Sequence, residues 1–102
     1  MNFDTYQKEA AQFAVFQSPF YPYFGVMEEL GELMACFSKR LRGDVDYGDD
    51  TKIKKEMGDV LWMLSAIAEL NGFSLQEVAE MNIQKLTSRK ERDVIKGSGD
   101  DR

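Results

Sequence analysis

The stretch Lys55-Glu56-Met57-Gly58-Asp59-Val60-Leu61-Trp62-Met63-Leu64-Ser65-Ala66-Ile67-Ala68-Glu69-Leu70 decides the fold. From Val60 to Leu70 it is apolar almost all the way round, the pattern of a helix enclosed by other elements rather than one with a wet face. Glu56, Asp59, Met63, Ala66 and Leu70 fall along one stripe at helical spacing. Two carboxylates therefore lie on a line that turns hydrophobic one turn later. Acids almost never point into a core without a partner or a metal, because an unpaired buried charge is costly. No compensating charge lies on the stripe, which favours a metal.

Working outward, this central helix is expected over about Thr51–Asn71, with Gly72 placed to close it in the left-handed conformation. Upstream, a helix over about Gly25–Arg42 carries an apolar stripe of Val26, Leu30, Leu33, Phe37 and Leu41. Glu28, Glu29 and Glu32 fall off that stripe, Glu29 nearest its edge, and a solvated acidic face accounts for these three as readily as a site does. A first helix is expected over about Phe3–Phe16, followed by the breakers Ser18, Pro19 and Pro22 and an aromatic run from Phe20 to Phe24. Downstream, Ser74 and Glu77 form a capping box that opens a fourth helix reaching Arg89 or Arg92. The acidic segment Gly43–Asp50 is a loop. It is not a calcium loop, because Gly48 and Lys55 stand where ligands are required. Four helices with short connections and no hairpin signal predict an all-α four-helix bundle. The domain is expected over residues 1–92, with 93–102 as a flexible glycine-rich tail.

Composition narrows the chemistry. The 102 residues carry a net charge of -5, which argues against a partner such as a nucleic-acid polymer. The single cysteine, Cys36, cannot form a disulfide within the chain and reads as a small buried hydrophobe. With no histidine, histidine-ligated zinc, serine–histidine triads and histidine acid–base catalysis are excluded. No apolar run approaches a membrane span and the N-terminus carries no signal-peptide core, so a cytoplasmic protein is the simple expectation.

Residues three apart on a helix share a face. Glu29 with Glu32, and Glu56 with Asp59, thus form two carboxylate clamps. If their helices pack side by side, four oxygen donors converge, a set suited to Mg²⁺ or Mn²⁺. On the fourth helix Asn82 interrupts the apolar stripe of Leu75, Val78, Ala79 and Leu86, with Lys85 and Arg89 one and two turns on. These three are either a satisfied core amide beside snorkelling cations or a polar line that binds phosphate and balances the acids. A divalent ion held by carboxylates can bridge phosphate oxygens and neutralise developing charge. A carboxylate must then serve as general base, and Glu28 and Glu32 are the candidates.

Glu28-Glu29-Leu30-Gly31-Glu32 followed by Glu56-Met57-Gly58-Asp59 resembles the EExxE and ExxD motifs of MazG-type nucleotide pyrophosphohydrolases, members of the all-α NTP pyrophosphatase superfamily. Asn82-Ile83-Gln84-Lys85-Leu86 with Arg89 looks like the C-terminal substrate motif of that family. The resemblance implies Glu29, Glu32, Glu56 and Asp59 as metal ligands, and Asn82, Lys85 and Arg89 as substrate contacts. It implies hydrolysis of a nucleoside triphosphate to the monophosphate and pyrophosphate, with Mg²⁺ as cofactor. It also implies a homodimer or homotetramer whose sites draw residues from neighbouring subunits. Phe20–Phe24 with Phe3, Tyr6 and Gln7 would line a base pocket, or form an interface or core cluster instead. A dUTPase- or dCTPase-like enzyme and a non-catalytic helical oligomerisation module are the alternatives.

Overall fold

A computed structural model describes residues 1–44 and 49–102. All regular structure among them is helical: α1 (Phe3–Ala11), α2 (Tyr21–Leu41), α3 (Asp50–Asn71) and α4 (Leu75–Glu91). The middle of the acidic loop expected over Gly43–Asp50 lies outside the described residues. Among those described, no helix is long and apolar enough to cross a membrane.

The caps follow local chemistry. The Asn2 side chain accepts from the Thr5 amide at 2.9 Å to start α1, and Asp49 accepts from the Lys52 amide at 2.8 Å to start α3. Gly72, at φ +75°, ends α3 as expected, and the capping box of Ser74 and Glu77 opens α4. Two boundaries differ from expectation. α1 stops at Ala11, not Phe16, and leaving the helix line brings Phe16 onto Tyr21 and Trp62, at centroid distances of 5.3 and 5.5 Å. Packing overrides propensity there. α2 begins at Tyr21, so Pro22 lies inside its first turn rather than ahead of the helix. Proline is tolerated at that place because the first-turn amides have no helical acceptor to lose.

α3 is the centre, touching α1, α2 and α4, while α2 and α4 do not pack against one another. The α2–α3 contact is the most extensive, and the helices run antiparallel, with Tyr23 beside Asn71 and Gly25 beside Met63. The face of α2 turned to α3 holds small side chains: Pro22, Gly25 and Cys36 are buried. A Cβ on Gly25 would lie 2.6 Å from Met63 Sδ and 2.9 Å from the Tyr21 ring. Met63 is 1% exposed and cannot swing into solvent. The expected apolar stripe of α2 turns inward only in part, with Val26 and Leu33 half-buried. Leu30, Phe37 and Leu41 are exposed, as are Met27 and Met34. The helix has two apolar faces, and the one with small residues wins α3 because it permits close approach.

Gln7 joins three elements. It is 5% exposed; its amide nitrogen donates to Glu69 Oε1 at 2.7 Å and to the Phe73 carbonyl at 3.0 Å, and its Oε1 accepts from the Leu75 amide at 2.8 Å. It thereby satisfies one of the orphan amides at the start of α4. This is a structural role and not a place in a base pocket.

Gly25→Val should destabilise the chain by about 1–3 kcal/mol, the ordinary cost of overpacking a filled contact. Urea denaturation measures it, and an unchanged midpoint would show that the helices have room to spare.

Candidate metal centre

The antiparallel α2–α3 pair carries its acids into one place. One turn beyond Gly25 on α2 is Glu29, and one turn before Met63 on α3 is Asp59, with Glu56 a further turn back. Glu29, Glu56 and Asp59 each present a carboxylate oxygen, and the three oxygens lie within 4.8 Å of one another, all on half-buried side chains. Oxygens sharing an octahedral Mg²⁺ with bonds of ~2.1 Å stand about 3–4 Å apart, so small side-chain rotations close this set around the ion. Hard anionic donors without nitrogen or sulfur suit Mg²⁺ and Mn²⁺.

The electrostatics agree. Burial raises the Glu29 pKa above the ordinary carboxylate value, and the charges of Asp59, Glu56, Glu32 and Glu28 raise it further. Among the described residues, the influences on this group all oppose its ionisation. Three like-charged oxygen donors this close together make the cluster a candidate cation site.

The remaining sequence candidates are placed differently. Glu32 is exposed and outside the triad, yet near enough for its charge to act on Glu29. Glu28 is exposed and accepts a hydrogen bond from the Tyr21 hydroxyl at 3.1 Å. That bond raises the Tyr21 pKa, with burial and the charges of Glu28 and Glu29 adding to it. Asn82 is exposed on α4. Lys85 and Arg89 do not reach the triad; both contact Asp100 in the C-terminal segment of their own chain, Lys85 Nζ at 3.1 Å and Arg89 NH2 at 3.3 Å. The structure thus joins three of the acids and leaves the Asn82–Lys85–Arg89 line on another surface.

Of the aromatic residues about the site, Tyr6 and Tyr21 belong to the set expected to line a base pocket or a core cluster, while Trp62 was missed in the sequence. Tyr21 shares a helix face with Glu28 at a spacing of seven, a relation hidden while α2 was expected to start at Gly25. Tyr6 of α1 is half-buried; burial first, then the charge of Asp59, raises its pKa. Trp62 follows Asp59 by three positions on α3. Tyr6, Phe13, Gly58, Asp59 and Trp62 line a hollow of about 550 Å³ between α1 and α3 that opens beside the triad. The indole N–H of Trp62 is buried without an acceptor among the described residues.

The comparisons with known proteins point the same way. No solved structure matches the chain. Gene 37 protein of Mycobacterium phage L5 is 32% identical over an alignment of 114 residues that covers all of both chains. Residues 23–94, which contain the triad and the α4 cations alike, match the model of the MazG nucleotide pyrophosphohydrolase domain. With that match spanning the helices that build the carboxylate site, the chain belongs to the MazG family of nucleotide pyrophosphohydrolases.

Proposed function

We propose that the protein is a Mg²⁺-dependent nucleoside triphosphate pyrophosphohydrolase, converting (d)NTP and water to (d)NMP and pyrophosphate. The observation that carries this reading is the convergence of Glu29, Glu56 and Asp59 beside an aromatic hollow. These three residues would hold the ion, with Mn²⁺ as a substitute. When bound, the ion supplies charge neutralisation for the phosphates and polarises the phosphorus under attack.

The chain's own groups do the rest. Glu32 is free to accept a proton from the attacking water, whereas Glu28 is tied to Tyr21, so of the two candidates Glu32 suits the base. The hollow walled by Tyr6, Phe13 and Trp62 takes the nucleobase by stacking. Its largely apolar walls favour broad base acceptance.

A second copy completes the site. The solvent-accessible surface is 7719 Å², against roughly 5,900 Å² for a compact monomer of this mass. The radius of gyration is 16.5 Å where about 13 Å is usual. Met27, Leu30, Met34, Phe37 and Leu41 form an apolar face on α2 that is exposed among the described residues. In a cytoplasmic homodimer or homotetramer this face is the interface, and a neighbour's Asn82, Lys85 and Arg89 meet the phosphates held at the triad.

Incubation with each dNTP and Mg²⁺, followed by phosphorus NMR, tests the reaction. Pyrophosphate and monophosphate are expected. Orthophosphate would make the protein a phosphatase, and no turnover would favour an oligomerisation module. Turnover of dUTP or dCTP alone would narrow the enzyme to the dUTPase- or dCTPase-like reading. Glu56→Gln should lower kcat by more than about 100-fold, since even groups that only support a metal ligand contribute 10–100-fold, while circular dichroism stays unchanged.

The raised Glu29 pKa sets a pH dependence. The folded chain keeps this proton to higher pH than the unfolded chain, so the cost of Glu29 is small near pH 4, grows as pH rises above the ordinary carboxylate value, and is complete once pH passes the raised one. Without metal, Glu29→Gln should melt higher than wild type at pH 7, by roughly 2–5 °C, and the gap should close near pH 4. Millimolar Mg²⁺ should reverse the order at pH 7 by stabilising only the wild type. Equal melting curves with and without Mg²⁺ would count against the ion.

A further inference from the structure

The C-terminal segment, expected to be a flexible tail, lies against the last turns of α4 and covers its cations. Arg89 is 5% exposed. Its NH2 donates to the Asp100 carbonyl at 2.5 Å, the Gly99 carbonyl at 3.3 Å and Asp100 Oδ1 at 3.3 Å, while Lys85 Nζ donates to the same Oδ1 at 3.1 Å. One carboxylate oxygen therefore sits between two cations one turn apart on a helix face. That is the arrangement of a phosphate oxygen held by a lysine point charge and an arginine fork.

The segment is shaped to make this contact. Arg102 closes residues 94–102 into a loop, donating from Nε to the Val94 carbonyl at 2.8 Å and from NH2 to the Ile95 carbonyl at 2.7 Å, with a further bond to the Gly99 carbonyl. Gly97 lies under the Arg102 side chain, where a Cβ would come within 2.8 Å of Cδ, and Gly99 turns the chain at φ +84°. The glycines thus serve a built turn rather than a loose end.

The hold is also incomplete. Arg89 Nε is buried with no hydrogen-bond partner among the described residues. The strap engages only one side of the guanidinium fork, whereas a phosphate can take Nε and NH2 together. Asp100 itself is exposed, its side chain at 83%, and an exposed ion pair is weak. Lys85 first, then Arg89, holds the Asp100 carboxyl below its ordinary value, so it is charged at neutral pH.

We propose that residues 94–102 form an autoinhibitory strap in which Asp100 occupies the phosphate position on Lys85 and Arg89, and that the polyphosphate of a nucleotide displaces it. The proposal rests on the reading of Lys85 and Arg89 as substrate contacts. The displaced strap exposes Arg89 and frees its unpartnered Nε for the incoming anion. Substrate affinity is set by this exchange, and the chemical step is untouched by it.

The test uses the full chain, Asp100→Asn, which removes the competing charge, and Arg102→Ala, which unlatches the loop. Inorganic tripolyphosphate is the probe for calorimetric binding. Both variants should bind it roughly three- to tenfold more tightly than wild type, the scale of one charge-assisted contact. KM for a dNTP should fall by the same factor with kcat unchanged. Saturating tripolyphosphate should speed hydrogen exchange at the amides of 94–102 in the wild type. Unchanged affinity in both variants, or unchanged exchange at saturation, overturns the strap. Lys85→Ala and Arg89→Ala separate the two ideas. If both weaken tripolyphosphate while the strap variants match wild type, the substrate contacts stand and the strap falls. If neither weakens it, the substrate reading of these cations falls, and the strap with it.

Discussion

The contact of Gly25 with Met63 is the constraint on which the molecule depends. It lets α2 and α3 approach more closely than any larger residue at position 25 allows. Because the helices are antiparallel, each turn away from this contact on α2 meets the turn away in the opposite direction on α3. Glu29 therefore comes upon Asp59 and Glu56. A wider spacing would leave three separate carboxylates in water, each content with its own hydration. The close spacing makes them neighbours whose charges oppose one another.

That opposition links fold to chemistry. Burial and four surrounding carboxylates disfavour ionised Glu29. A divalent cation relieves such repulsion in a site built of oxygen donors. Under the proposed function, this gathering of like charges is what a divalent ion and its phosphate ligands would meet. Family membership and the geometry meet here, since the matched residues 23–94 include both helices that create the conflict.

The rest of the molecule reads as parts awaiting partners. α2 offers a large-residue apolar face to the outside, and α4 diverges from α2 with its cations turned to the chain's own C-terminal loop. A single chain holds acids and cations apart. Under the proposed assembly, association brings the opposite charges to one site, and the Asp100 strap keeps Lys85 and Arg89 occupied until a polyphosphate arrives. Anion binding and strap release are then one exchange on the same two side chains.

Much was decided by sequence alone, for reasons that are local. The apolar girth of Val60–Leu70 made α3 central, the three-residue spacing of Glu56 and Asp59 put them on one face, and the Ser74–Glu77 box and Gly72 marked helix ends by their own hydrogen bonds and backbone conformation. Absence of histidine confined the chemistry to carboxylates. Tertiary structure decided what depends on which surfaces meet. It chose the small-residue face of α2 over the larger apolar stripe, because close approach outweighs area when the facing helix carries a buried methionine. It shortened α1 so that Phe16 could pack on Trp62, and it placed Pro22 within a first turn where no hydrogen bond is lost. It turned Gln7 from a pocket candidate into a joint between helices, and it set Glu32 outside the triad while gathering Glu29. Periodicity tells which residues share a face of one helix; only the packing of two helices tells which faces are opposed, and the site exists in that opposition.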